Sequence, residues 1–171
     1  GTVVLLGIVI MFALFGVKNT CVAFEKGVEA QYEQNQNNLA SYTNKIMDMV
    51  QVPKMAVGHI KEVAQAAIQG RYGENGSKAV FQAIAEQNPT VDPGLYRNLM
   101  QAMEAGRNSC EADQKTIIDK CRAYDTYAEQ MPQSVFVGMW GYPRYDKSKC
   151  KPVITESVDH DFKAKRTGPL Q

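Results

Sequence analysis

His59 and His160 are the only two histidines in the chain; with four cysteines, at 21, 110, 121 and 150, they bound the side-chain chemistry available. His59 stands between Val57 and Ile60, with Glu62 three residues on. A di-metal site in a helical bundle takes Glu-x-x-His from two helices and further inward glutamates from the others. Here the order is reversed and occurs once, so no metal site is expected. His160 lies in "VDHDF", a chelating group by composition, but in a polar tail where solvated side chains are the plainer reading. No Gly-rich phosphate loop follows a strand, and no Ser nucleophile elbow occurs. Glu104, Glu111 and Asp113 fall on one helical stretch, where carboxylates ordinarily form a solvated face. The expectation is a non-enzymatic chain with no catalytic residue and no cofactor.

Two further groupings are structural rather than catalytic. Asp113 continues an apolar stripe between Cys110 and Ile117. With Asn35 on an earlier helix it is a candidate for a buried polar layer that fixes helix register; a slightly rotated stripe explains it equally well. Cys110 and Cys121 share one helix about 16 Å apart along its axis, too far to bond each other. No C-x-x-C spacing points to zinc or a redox motif. In a domain outside the cytoplasm, Cys150 is placed to pair with Cys121 or with Cys110; core thiols are the competing reading.

The elements that must carry these residues begin with an apolar run. From Val3 to Val17 no polar face interrupts "VVLLGIVIMFALFGV", and Val3, Leu5, Ile8, Phe12, Phe15 and Val17 mark it as a membrane-spanning helix over residues 1–20. As a helix the run is about 25 Å long, slightly under the ~30 Å hydrocarbon layer. Lys18 can snorkel, so the span extends past it toward Phe24. "GVKNTC" offers neither a small-residue cleavage site nor a lipoprotein box. A pilin-like fibre core is the alternative use of such a helix, although the acidic residue expected near its start is missing.

Lys and Arg total 19 against 18 for Asp and Glu, so bulk charge gives no reason to expect nucleic acid as a partner. Phe24, Val28, Tyr32, Asn35, Leu39, Tyr42, Ile46 and Met49 step by four and three, a heptad seam with one stutter. This predicts helix one over 21–51, continuous with the span and projecting about 50 Å from it. Pro53 breaks it. Helix two is expected over 54–71, with Ala56, Val57, Ile60, Val63, Ala64, Ala67 and Ile68 on one stripe. "GRYGENGS" is a loop whose Ser77 caps helix three over 78–87. After the "NPTVDP" break, helix four over 94–131 carries Leu95, Leu99, Met103, Gly106, Cys110, Ile117, Cys121, Tyr124 and Met131. Helices one and four are similar in length and two and three are short, so the fold class is all-α. The expected architecture is a transmembrane helix running into an elongated antiparallel bundle (21–131), with helix four returning to the membrane end.

Residues 132–171 follow. "QSVFVGMWGYPRY" places Phe136, Trp140, Tyr142 and Tyr145 at that membrane end. The segment serves either as a lid over the bundle's open end or as an interfacial contact with lipid or a neighbouring subunit. Beyond Cys150 the chain is polar and expected to be extended.

The residues resemble the LemA family of bacterial membrane proteins. The similar pieces are "VAFEKGVEAQYEQNQNNLASY", "VQVPKMAV", "NPTVDPGLYRNLMQAM", "RAYDTYAEQMP" and "GYPR", together covering most of the chain from Val3 to Arg144. Departures are plain: the Gln-Arg-Arg stretch before the Pro break is absent, Asp125 stands where Asn is usual, and Arg107 and Asn108 occupy a region where the family has Glu. The resemblance implies a membrane helix followed by a helical bundle, and it carries no chemistry. The resulting expectation is a membrane-anchored scaffold or assembly protein at the bacterial envelope, with a structural filament subunit as the alternative. Its expected partners are the lipid bilayer, further copies of itself and an unidentified protein. A basic leader ahead of Gly1 would hold the amino end inside and place the bundle in the periplasm or outside the cell; Lys18 argues weakly for the reverse.

Overall fold

The structure, a computed structural model, describes residues 1–50, 54–89 and 92–151. The fold is all-α. Among the described residues five α-helices follow one another: α1 (Thr2–Met49), α2 (Val57–Ile68), α3 (Gly76–Gln87), α4 (Pro93–Glu129) and α5 (Gln133–Trp140). Short 3-10 turns occupy Gly73–Asn75 and Lys147–Cys150. No strand occurs among the described residues. The described residues form two compact units: Gly1–Gln34 with Asp113–Lys151, and residues from Asn35–Ala112. α1 and α4 each contribute to both.

In the second unit, stretches of four helices surround one apolar core. Ile46, Ile60, Ile68, Val80, Ile84, Leu99 and Met103 are fully or almost fully buried. These positions recur at three and four residues, so each helix turns one stripe inward. Small residues set the spacing. A Cβ on Gly76 would lie 3.2 Å from that of Ala67, so α3 approaches α2 where both lack bulk. A Cβ on Gly106 would lie 3.3 Å from Tyr42, bringing α4 against α1. Among the described residues Thr43 is the buried polar side chain of this unit; its hydroxyl donates to the Leu39 carbonyl at 2.7 Å and is thereby satisfied.

In the first unit, α1 and α4 run antiparallel. Val28 packs with Ile117 and Cys121, while Cys21, lower on α1, packs with Tyr124, higher on α4. Every large apolar side chain from Val3 to Phe12 is exposed, Val3 by 83% and Phe12 by 74%. Among the described helices, α1 alone is long and apolar enough to cross a membrane.

Several sequence expectations need correction. Ser77 does not cap α3: the helix starts at Gly76, follows Asn75 directly, and has no side-chain cap. α2 spans fewer residues than expected at both ends: it starts at Val57, and past Ile68 the chain leaves the helix where Gly70 adopts a left-handed φ of 82°, open to a residue without Cβ. Val57 keeps 36% of its surface exposed and is not among the buried residues of the inward stripe. Met131 is 74% exposed, since α4 stops at Glu129, and a residue preceding proline disfavours helical backbone. Residues 133–140 form a helix where only an aromatic segment was expected. The Pro53 break, part of "NPTVDP" and the tail with His160 lie outside the described residues.

Candidate functional site

The densest constellation of interacting side chains in the first unit joins α1, α4 and the segment after α4. It begins with α5, whose end is locally encoded. Gly141 takes a left-handed conformation at φ 66° and ψ 37°. Its amide bonds the Gly138 carbonyl at 3.3 Å, and the Tyr142 amide bonds the Val137 carbonyl at 3.1 Å. This pair is the Schellman arrangement, which glycine favours at the position after a helix. Its usual apolar contact is present, because Val137 is buried and Tyr142 packs on the same cluster. The reversal sends the chain back along α1 and α4.

Tyr145 then lies against Tyr124, ring centroids 5.3 Å apart. Tyr124 stacks on Phe24 at 5.2 Å, and Tyr127 closes on Phe24 at 5.4 Å. Polar tips fasten this aromatic layer. Tyr124 donates its hydroxyl to Glu25 Oε1 at 3.1 Å, and the Arg144 backbone amide donates to the same oxygen at 2.7 Å. Tyr145 donates to Asp125 Oδ1 at 2.9 Å, and Lys147 approaches that oxygen at 3.6 Å. Burial, then the Asp125 hydrogen bond, then its charge push the Tyr145 phenol up to about 12. Tyr124 moves in the same direction, first through burial and then through the neighbouring Cys21 and Glu25.

The run ends in a covalent link. Asp146 accepts from the Ser148 amide at 2.9 Å, opening the turn Lys147–Cys150. That turn presents Cys150 to Cys121, and the two form a disulfide. Lys149 stands over the Tyr32 ring at 4.9 Å. Residues 132–150 are thus folded onto the two helices, fixed at three levels by Val137, Glu25 and the disulfide.

Of the residues singled out from sequence, Tyr142 and Tyr145 join this layer, while Phe136 and Trp140 are half-buried on α5. Cys121 takes Cys150; Cys110 packs half-buried against the core of the second unit. Asn35 and Asp113 are both half-buried, and they belong to different units. His59 is exposed on α2, beside a shallow cleft of roughly 400 Å³ that Glu62, Arg71 and Tyr72 also line. Among the described residues no three His, Cys, Asp or Glu side chains converge as metal ligands. Glu25 was not singled out from sequence. Its one local sign is a carboxylate beside the apolar seam, next to Phe24.

The arrangement fastens the segment after α4 to α1 and α4: the Glu25 and Asp125 carboxylates accept its hydrogen bonds, and the buried thiol of Cys21 lies within the apolar cluster. The chain matches no protein-family model, no curated protein and no solved structure.

Proposed function

We propose that this chain is a non-enzymatic scaffold or assembly protein, held in the bacterial cell membrane by one pass of α1 and presenting its helices at the envelope. The observation that supports it is the exposed apolar run on α1, continuous in one helix with a stretch that packs into folded units. Each large apolar side chain moved out of water is worth about 1.5–3 kcal/mol. Ten such side chains from Val3 to Phe15 stand uncovered, so an apolar surrounding is the state this helix is built for. The quoted segments favour kinship with the LemA family. The Cys121–Cys150 disulfide suits an oxidising compartment, and hence a periplasmic or extracellular bundle. Self-association is part of the proposal, because the heptad seam and the thin core favour shared burial.

Fractionation tests the anchor. The protein should stay in membranes washed with alkaline carbonate and leave them only with detergent. Recovery as lipid-free fibres would instead establish the filament reading. Sidedness follows from a membrane-impermeant maleimide on intact cells. Labelling that rises after an impermeant reductant places the disulfide outside. Labelling that needs permeabilised cells places it inside.

A further inference from the structure

Helix α5 carries apolar side chains on two opposite sides, and the described residues cover only one of them. At about 100° per residue, Val135 and Met139 project opposite Val137. Val137 is buried against Cys21 and Tyr124, whereas Val135 is 53% and Met139 70% exposed. Met131, just before the helix, is exposed as well. Phe136 and Trp140 fall between these two sides, four residues apart on one flank, and are half-buried. A helix with large apolar side chains on two opposite sides belongs in an apolar surrounding on both. Among the described residues nothing occupies the outer side.

Position selects the occupant. The cluster holding Val137 also packs Val17 and Cys21, the turn of α1 on which the apolar run ends. Exposed Lys18 lies on that turn. α5 thus sits within about one helical turn, roughly 5 Å of axis, of the place where α1 changes from apolar to polar. The outer face of α5 and the exposed apolar surface of α1 belong to the same unit. We infer that α5 is an interfacial foot that lies in the membrane surface, with Met131, Val135 and Met139 in the boundary between headgroups and acyl chains and Trp140 at its edge. The lipid-facing residues are then aliphatic ones, while Tyr142 and Tyr145 turn toward the protein. This inference rests on the reading of α1 as a membrane span. Helices of this kind seat their apolar face about 5–10 Å into that boundary.

Trp140 is the single tryptophan and reports on α5 without substitution. The full chain is reconstituted into phosphatidylcholine vesicles whose acyl chains carry bromine either near the headgroup or near the chain end. The vesicles are washed with alkaline carbonate and floated. Protein that floats should lose roughly half of its tryptophan emission to the shallow bromines and clearly less to the deep ones. Protein that floats with unquenched emission overturns the interfacial foot and leaves the span intact; a second copy covering α5 gives that result. Protein that fails to float removes the span and the foot together. The variant Val135→Asp with Met139→Asp should float, retain the Cys121–Cys150 disulfide and lose most of the shallow quenching. Quenching undiminished in that variant would show that a different face meets the lipid and overturn the assignment.

Discussion

One oxygen of Glu25 accepts from two groups far away in sequence, the Tyr124 hydroxyl and the Arg144 amide. Tyr124 has no exposed surface, so losing this acceptor strands a buried hydroxyl. Glu25→Ala should therefore cost about 1–3 kcal/mol, and Glu25→Gln, which keeps an acceptor, distinctly less. Denaturant midpoints followed by Trp140 emission measure both. Equal losses would show that the hydrogen bonds matter little. Tyr145 makes a second prediction at this scale. Its proton is held more tightly in the folded protein, up to about 12, than in an unfolded chain at about 10. Its contribution to stability is thus complete below the unfolded value and lost as pH rises through the folded one. Tyrosinate absorbance against pH should show a late-titrating class that shrinks by one tyrosine in Tyr145→Phe. If the variant instead loses an ordinary step near pH 10, Tyr145 is not held as described.

The segment after α4 is the element whose behaviour sequence left most open. Its composition allowed a lid or a lipid contact, and in the folded chain its two sides differ: Val137, Tyr142 and Tyr145 face protein, while Val135 and Met139 face outward. The disulfide closes a loop with a sequence separation of 29, which limits the freedom of the unfolded chain. For a loop of that length the chain-entropy contribution is about 3.6 kcal/mol. Cys150→Ser should lower stability by about that much, and wild-type protein under reductant should match the variant. Hydrogen exchange at the α5 amides is expected to quicken in both. Unchanged protection would mean that Val137 and Glu25 hold the segment without the covalent link.

For the molecule as a whole, the apolar run of α1 is decisive. Ile8→Arg together with Phe12→Arg places two charges in mid-run, each costing about 2.5–3.5 kcal/mol at the centre of a membrane helix. The double variant should leave carbonate-washed membranes, whereas Lys18→Ala should remain. Retention of the double variant would remove the span. The lipid-free product separates the proposed envelope scaffold from the proposed fibre subunit.

Periodicity in the chain was enough to determine the all-α class, the run of α1 through Met49 and the inward stripes of α2, α3 and α4. These are local properties: a three-four spacing specifies one helix face whatever the helix meets. Helix ends were less legible. Ser77 has the right chemistry for a cap, yet α3 begins one residue earlier, after a turn that supplies the helical backbone. Only tertiary structure could decide which of Cys110 and Cys121 meets Cys150, or that Glu25 binds an amide 119 residues away. Those pairings depend on distances between folded segments, and local spacing carries no record of them.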